Sequence, residues 1–155
     1  MGLIKVGDPA PEFKAKDQFG KEISLSQFKG KKIILYFYPK DDTPGCTAEA
    51  CNLRDNYASL TSKGFVVIGV SADNAASHSK FQAKFDLPFF LIPDEEKKVI
   101  NAYHCWGEKK LFLRNYEGIL RKTYIIDEKS MILKIIEKVN TKEHTNQILK
   151  ELKLK

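Results

Sequence analysis

The apolar residues of this chain fall into short runs that alternate with amphipathic segments. Two uninterrupted runs, Ile33 to Tyr38 and Phe65 to Val70, are rich in β-branched and aromatic residues and have the length of buried strands. The segment between them ends near Lys63-Gly64, and its apolar residues recur at helical spacing: Leu53, Tyr57 and Leu60. A strand, a helix and a second strand in this order predict a βαβ unit.

The same alternation continues to the end of the chain. A helix is predicted over Ala75 to Phe85, because Phe81 and Phe85 are spaced i, i+4 and Leu87-Pro88 ends the pattern. The remaining predicted elements are a small hairpin around Gln18 to Lys21, a strand Phe89 to Ile92, a short helix Glu95 to Tyr103, a hairpin of Ile119 to Ile126 with Met131 to Val139, and a last helix Lys142 to Leu152. We therefore predict an α/β domain with a mixed sheet flanked by helices.

Length and charge narrow the class of protein. The 155 residues fit a single domain over 1–155 with a sizeable core. The net charge of +6 raises the possibility of a nucleic-acid partner, but the lysines are spread along the chain among 20 acidic residues. A solvated surface explains this pattern better, so no nucleic-acid partner is expected.

The termini and the cysteine count bear on the compartment. Met1 to Lys5 lack the apolar core of a signal peptide, and no run approaches the ~18 apolar residues of a membrane span. A cytoplasmic protein without a membrane partner is expected. Three cysteines in a chain of this size do not predict a secreted disulfide scaffold, and in a reducing compartment a cysteine pair is more often catalytic or redox-sensing.

A helix start next to Cys46 points to thiol chemistry. Thr43 is a suitable N-cap, Pro44 fits the first helical position, and Gly45 keeps the backbone open beside Cys46. Free N–H groups and the positive end of the helix dipole favour an anion in the first turn. We expect the Cys46 thiolate to be stabilised there and to act as a nucleophile.

Cys51 follows five residues later on the same predicted helix. An intact helix would hold the two Cα atoms roughly 8.6 Å apart, whereas a disulfide needs less than about 7 Å. A bridge between Cys46 and Cys51 would therefore require local unwinding, as expected of a working redox pair.

Three other interpretations of the cysteines were weighed. Two cysteines on one helix can simply be small buried side chains. A zinc site would need closer ligand spacing, and the histidines are scattered: His78, His104 and His144. The spacing is also not that of a C-x-x-C dithiol. A metal is not expected.

Cys105 is a further thiol, next to His104. Neighbours on an extended segment point to opposite faces, so a Cys–His catalytic pair is not favoured. The preferred interpretation of Cys105 is a partly buried spare thiol, with a resolving role as the alternative.

Several segments, in order and over nearly the whole chain, resemble the bacterioferritin comigratory protein (PrxQ) class of peroxiredoxins. They are Gly7-Asp8-Pro9-Ala10-Pro11-Glu12-Phe13, Tyr36-Phe37-Tyr38-Pro39, Thr43-Pro44-Gly45-Cys46-Thr47-x-Glu49-Ala50-Cys51, Trp106-Gly107-Glu108-Lys109 and Gly118-Ile119-x-Arg121. The resemblance implies a thioredoxin-like fold with an N-terminal β-hairpin extension. It also implies an antioxidant thiol peroxidase that reduces hydrogen peroxide and organic hydroperoxides without a cofactor.

The resemblance also assigns roles to residues. The family signature maps onto Pro39, Thr43 and Cys46, which makes Cys46 the peroxidatic cysteine, while Cys51 matches the resolving cysteine and Arg121 the active-site arginine. The implied cycle oxidises Cys46 to a sulfenic acid, forms a Cys46–Cys51 disulfide, and ends with reduction by thioredoxin or a similar dithiol. A monomer is expected.

Some readings stay open at this stage. Without the resemblance, Arg121 would be taken as a surface residue, and the sequence does not place Glu49 in a loop contact or on the helix surface. A thioredoxin-like protein with a regulatory Cys46–Cys51 bridge and no peroxidase activity is the alternative function. A basic nucleic-acid-binding module has little support.

Overall fold

The computed structural model describes residues 3–111 and 113–154. Its strands are β1 (Lys14–Lys16), β2 (Glu22–Ser24), β3 (Lys32–Phe37), β4 (Phe65–Ser71), β5 (Phe90–Pro93), β6 (Trp106–Leu111), β7 (Arg114–Ile119), β8 (Lys122–Ile126) and β9 (Ile132–Ile136). Its α-helices are α1 (Pro44–Asp55), α2 (Tyr57–Ser62), α3 (Ala75–Phe85), α4 (Lys98–Ala102) and α5 (His144–Glu151), and a short 3₁₀ helix spans Leu25–Phe28.

A five-stranded mixed sheet forms the centre, in the order β5-β4-β3-β8-β9. Strand β3 is parallel to β4 and antiparallel to β8, and β5 is parallel to β4. The predicted βαβ unit is therefore confirmed, as is the pairing of β1 with β2 into an N-terminal hairpin. This is the thioredoxin-like arrangement that the sequence resemblance implied.

The alternation of side chains along β3 divides the core into two layers. Ile33, Leu35 and Phe37 join one apolar cluster, which α4 and the N-terminal segment cover. Ile34, Tyr36 and Tyr38 join the other, which α1, α2, α3 and α5 cover. Successive strand residues point to opposite faces, so β3 is buried on both sides, as its continuous apolar run predicted.

The long helix predicted between β3 and β4 is in fact two helices. Asn56 lies between α1 and α2 with φ −108° and ψ 11°, outside helical geometry. Its side-chain Nδ2 donates to the carbonyl of Asn52 at 2.8 Å, which competes with the helical pattern of hydrogen bonds. The apolar spacing continues through the break and therefore conceals it.

The predicted strand from Ile119 to Ile126 merges two elements. Ile119 ends β7 and pairs with Trp106 in a separate β6–β7 hairpin, whereas Lys122 begins β8 and pairs with Phe37 in the central sheet. The hairpin itself was missed, because its strands are mostly polar. Arg121 lies in the short connection where the chain leaves one sheet for the other.

The predicted helix Glu95 to Tyr103 is shorter than expected. Lys97 has φ 60°, a left-handed conformation that cannot continue a helix, so α4 begins at Lys98. The other elements match within a few residues, and α3 has the predicted bounds. Within the described part of the chain, no helix is both long and apolar enough to cross a bilayer.

Candidate active site

Strand β3 and helix α1 place Cys46 beyond the carboxyl end of the central strand of the sheet. The chain leaves β3, passes through residues 38–43, and enters α1 at Pro44, so that Cys46 lies in the first helical turn. The Cys46 side chain is 1% exposed, in the apolar cluster beneath α1. The sequence prediction of a thiol at a helix start is confirmed.

Arg121 contacts the Cys46 sulfur directly. Its Nη2 lies 3.2 Å from Sγ, and its Nη1 donates to Glu49 Oε1 at 2.8 Å. A Cβ on Gly45 would lie 3.3 Å from the same Nη2, so the glycine leaves room for the guanidinium against the helix start. Burial acts to lower the pKa of Arg121, but the neighbouring Cys46 and Glu49 outweigh burial and raise it. The guanidinium therefore stays charged beside the sulfur.

Glu49 faces inward from α1 rather than toward solvent. It is fully buried, and burial raises its pKa to about 7 although Arg121 acts in the opposite direction. Its second oxygen, Oε2, has no hydrogen-bond partner and lies 3.4 Å from His144 Nε2. Burial lowers the pKa of His144 to about 4, with a hydrogen bond to Gln147 opposing it.

Thr43 takes the N-cap position without capping the helix. Its side chain makes no capping hydrogen bond; the hydroxyl donates instead to the carbonyl of Lys40 at 2.9 Å. The first-turn N–H groups, including that of Cys46, are thus left without the usual side-chain acceptor. Pro39 is partly buried in the same loop and offers no N–H.

Cys51 lies one and a half turns after Cys46 on the uninterrupted α1, and both thiols are free. It is partly exposed, and burial raises the pKa of its thiol, with Arg54 opposing. The helix holds the two cysteines apart in this state. A bond between them requires α1 to unwind, as the sequence predicted.

Cys105 lies on the other side of the sheet, in the cluster that contains Tyr103 and Tyr124. It is completely buried rather than partly buried, and its Sγ is 3.5 Å from the carbonyl of Tyr103. Burial raises the pKa of Cys105 to about 12, with Lys122 opposing. Cys46 and Cys105 therefore belong to separate layers of the core.

Comparison with known proteins agrees with this geometry. Residues 6–135 match the AhpC/TSA family. The chain is 45% identical over 150 residues to peroxiredoxin Bcp of Bacillus subtilis, covering 97% of this chain and 96% of that protein. It is 39% identical over 153 residues to peroxiredoxin Bcp of Escherichia coli K12, covering 99% and 98%.

The chain belongs to the peroxiredoxins of the AhpC/TSA family. Solved structures confirm the fold of this peroxiredoxin: a mutant of Xylella fastidiosa PrxQ superposes with a TM-score of 0.91 at 27% identity, over 99% of this chain and 98% of that one. The bacterioferritin comigratory protein of Xanthomonas campestris gives a TM-score of 0.84 at 28% identity over 91% and 90%, and its structures address alkyl peroxide reduction.

A second buried network holds the loop before α1 in this peroxiredoxin. Asp41 accepts hydrogen bonds from the Tyr38 hydroxyl at 2.6 Å and from Ser77 at 2.7 Å, and it contacts His78 Nδ1 at 2.7 Å. Its own N–H donates to Asp73 at 2.8 Å. Burial acts to raise the pKa of Asp41, but the hydrogen bonds from His78 and Tyr38 outweigh it and lower the pKa. The loop that carries Pro39 and Thr43 is thus fixed to α3 and β4.

The sequence did not identify Glu49, His144 or this Asp41–His78 network as parts of the site. The available signal was weak, since a glutamate in the second helical turn and scattered histidines are common in any protein. Their importance depends on tertiary contacts, above all on α5 returning to pack against α1 through Asn52 and Thr145.

Proposed function

We propose that this peroxiredoxin reduces hydrogen peroxide and organic hydroperoxides through Cys46, with Cys51 as the resolving cysteine and thioredoxin or a similar dithiol as reductant. The supporting observation is the Cys46 sulfur in the first turn of α1, 3.2 Å from an arginine that donates to the buried carboxyl group of Glu49. Family membership supports peroxide as the oxidant, and the Xanthomonas relative is described for alkyl peroxides.

The first step forms a sulfur–oxygen bond and breaks the peroxide bond. The Cys46 thiolate attacks the terminal oxygen of ROOH, the departing RO⁻ takes up a proton, and the products are Cys46–SOH and ROH. Negative charge moves from sulfur onto the oxygens, so donors fixed near both positions lower the barrier. In this proposal, Arg121 and the Cys46 N–H donate to those oxygens, and the 3.2 Å contact between Arg121 and the Cys46 sulfur supports this role for the arginine.

Thr43 and Pro39 complete the proposed site in different ways. The Thr43 hydroxyl already donates to Lys40, so its oxygen offers lone pairs that accept the peroxide proton. Pro39 shields the sulfur from water without adding a competing donor. Both roles follow from the loop that the Asp41 network holds in place.

The second step couples chemistry to unwinding of α1. Cys51 condenses with Cys46–SOH to form a disulfide and release water, and a dithiol then reduces that disulfide to two thiols. Both cysteines lie on one helix, so resolution needs no second chain and a monomer suffices. The partial exposure of Cys51 provides the entry point for the reductant.

The test is a thioredoxin-coupled peroxidase assay on the wild type and on Cys51→Ser. The wild type is expected to turn over continuously, whereas Cys51→Ser consumes one equivalent of peroxide and then stalls. Cys105→Ala serves as the matched control and is expected to turn over normally. Undiminished turnover by Cys51→Ser would assign the resolving role to another thiol. If peroxide does not oxidise Cys46, the peroxidase function is wrong and the regulatory Cys46–Cys51 bridge is the remaining interpretation.

A further inference from the structure

His144 on α5 lies directly behind the proposed site. Its ring is fully buried, and its Nε2 is 3.4 Å from Glu49 Oε2 and 2.8 Å from Thr123 Oγ1. The Glu49 contact is within ion-pair range but does not satisfy hydrogen-bond geometry, and Oε2 has no other partner. A buried carboxyl oxygen without a partner is costly, so this contact needs an explanation.

The proton position on His144 follows from its other neighbour, Gln147. The Gln147 amide nitrogen donates to the carbonyl of Lys138 at 2.8 Å, and its Oε1 accepts from the N–H of Asn140 at 2.9 Å, which fixes the orientation of the amide. Oε1 also lies 2.9 Å from His144 Nδ1. Because an amide oxygen can only accept, Nδ1 carries the proton, and a neutral His144 presents a lone pair at Nε2.

The Thr123 hydroxyl donates to that lone pair at 2.8 Å, and Oε2 of an ionised Glu49 would lie 3.4 Å from the same electron-rich nitrogen with no proton between them. That arrangement is repulsive in a buried setting, and a single proton between the two atoms converts it into an attraction. The proton can lie on either atom, and the pair is neutral overall in both cases. Burial raises the pKa of Glu49 to about 7 and lowers that of His144 to about 4, which favours the carboxyl as its location.

We propose that His144 is a positioning residue for Cys46: it holds one proton against Glu49 Oε2, so that the charge of Arg121 is left to the Cys46 sulfur. This inference rests on the proposed role of Cys46 as the reacting thiol. With the proton in place, the Arg121 guanidinium contacts the Cys46 sulfur and no ionised carboxylate competes for it. Without it, Glu49 adds a second negative charge that competes for Arg121 and repels the thiolate.

The other ionisable groups around the pair do not supply that proton. Tyr36 on β3 is fully buried, and burial raises its pKa well above the ordinary value, so its hydroxyl stays neutral. The lysines of β8 and β9 pair elsewhere, Lys122 with Glu137 and Lys134 with Glu151. On α5 itself, Glu143 and Lys150 are exposed. Lys109 on β6 is charged and lies near Arg121 and Cys46, but its ammonium donates to the carbonyl of Ile119 at 2.8 Å rather than to Glu49.

The test measures the ionisation of Cys46 without peroxide. Iodoacetamide alkylation of Cys46 is followed against pH by intact mass, in a Cys51→Ser background. His144→Phe removes the proton acceptor and favours ionised Glu49 at neutral pH. We expect the midpoint of alkylation to rise by about one pH unit, which is about tenfold slower alkylation on the acid side.

A double-mutant cycle separates this role from a structural one. Glu49→Gln fixes the side chain as neutral, so adding His144→Phe to it is expected to move the midpoint by less than about 0.3 of a pH unit. Thr145→Val perturbs the same α1–α5 contact without touching Glu49 and is expected to leave the midpoint unchanged. An unchanged midpoint in His144→Phe, or an equal shift with and without Glu49, would overturn the proposal.

A measurement on the unmutated protein keeps the proposal testable if His144→Phe does not fold. Imidazole ¹⁵N NMR is expected to show His144 as the neutral tautomer protonated at Nδ1, responding to one titration shared with Glu49. An Nε2-protonated tautomer, or an imidazole that titrates at an ordinary histidine pKa independently of Glu49, would contradict it. Neither readout depends on peroxidase activity, so failure here is distinct from failure of the proposed function.

Discussion

Cys46 and Cys105 are buried to the same degree, at 1% and 0% exposure, on opposite faces of one sheet. Cys46 lies in the first turn of a helix with Arg121 3.2 Å from its sulfur. Cys105 lies among tyrosines, and its Sγ is 3.5 Å from the carbonyl of Tyr103. Burial raises its pKa to about 12, although Lys122 and Tyr124 act in the opposite direction. A carbonyl oxygen carries partial negative charge and does not stabilise a thiolate, whereas a guanidinium and free N–H groups do.

The comparison shows that burial alone does not decide whether a cysteine is reactive. Desolvation disfavours the anion on both faces of the sheet. Arg121 contacts the Cys46 sulfur directly, whereas the charge of Lys122 does not prevent burial from raising the pKa of Cys105. The Arg121 guanidinium is itself held by Glu49, which is backed by His144. The reactive face is therefore the one with the buried polar network, and the other face is an ordinary apolar core.

The largest difference is expected from removing each thiol in turn. Cys46→Ser is expected to lower kcat/KM for hydrogen peroxide by ~10³-fold or more, because a serine hydroxyl is not ionised at neutral pH. Cys105→Ala is expected to stay within about twofold of the wild type. Stopped-flow peroxide kinetics measures both. Comparable losses in the two variants would remove the distinction between the faces.

Removing the charge beside Cys46 is expected to have the next largest effect. Arg121→Ala is predicted to reduce the peroxide rate by ~10²- to 10³-fold, and Arg121→Lys to recover only part of it, because lysine lacks the two-pronged geometry that contacts both Sγ and Glu49. Lys122→Ala is the control for loss of a neighbouring cation.

The Arg121→Ala variant also separates two effects of the guanidinium, the positioning of the peroxide and the ionisation of Cys46. The pH midpoint of Cys46 alkylation in Arg121→Ala gives the change in thiolate population, and the peroxide rate is compared with it. We predict a rate loss larger than that population explains. A loss fully accounted for by the altered midpoint would refute the positioning role of Arg121.

The buried pair behind Arg121 predicts an unusual dependence of stability on pH. The pKa of Glu49 in the folded protein, about 7, lies above its ordinary 4.5. Glu49 therefore contributes fully to the free energy of unfolding below pH 4.5, and this contribution is lost as the pH rises through 7. The folded pKa of His144, about 4, lies below its ordinary 6.5, so its contribution is present above pH 6.5 and lost as pH falls through 4. Between pH 4.5 and pH 6.5, folding transfers a proton from His144 to Glu49. The folded and unfolded protein therefore bind the same number of protons in this range, and the two contributions cancel.

Single substitutions should unmask the two opposing slopes. In Glu49→Gln, the free energy of unfolding is predicted to rise by about 2 kcal/mol, relative to the wild type, as the pH increases from 4 to 6.5. In His144→Phe, the free energy of unfolding is predicted to fall by about 1 kcal/mol as the pH increases from 4.5 to 7. The value is smaller because protonated Glu49 has lost His144 as its hydrogen-bond acceptor in this variant. Urea unfolding at a series of pH values measures both, and Thr145→Val should run parallel to the wild type. Slopes of the opposite sign would contradict the assignment.

The smallest expected effect comes from crowding the guanidinium. Gly45→Ala places a Cβ 3.3 Å from Arg121 Nη2, so the side chain must shift by a few tenths of an ångström. We predict a rate loss of about three- to tenfold, read by stopped-flow kinetics. The loss should disappear in an Arg121→Ala background, where no guanidinium remains to be displaced; persistence there would assign the effect to the helix start.

Local sequence patterns were sufficient to predict the strand and the helix start that position Cys46. The apolar run of β3 and the Thr43-Pro44 helix start predict a cysteine at the end of a central strand, and both are local patterns. Asn56 interrupts the helix through a side-chain hydrogen bond that apolar spacing does not reveal. Arg121 was placed through the family resemblance, since residues before an apolar strand are usually exposed.

The remainder of the site depends on long-range contacts. Glu49 and His144 are 95 positions apart in sequence and meet only because α5 packs against α1. The polar β6–β7 hairpin has no hydrophobic alternation, and its register shows only in the folded chain. Such contacts are set by the whole core rather than by any local pattern.

The most direct test treats the fully reduced protein with one equivalent of hydrogen peroxide and locates the oxidised cysteine by tandem mass spectrometry. In Cys51→Ser, a sulfenic-acid trap is predicted to label Cys46 alone; in the wild type, a Cys46–Cys51 disulfide should form while Cys105 remains a free thiol. Label on Cys105 before Cys46, or an unmodified Cys46, would contradict the account.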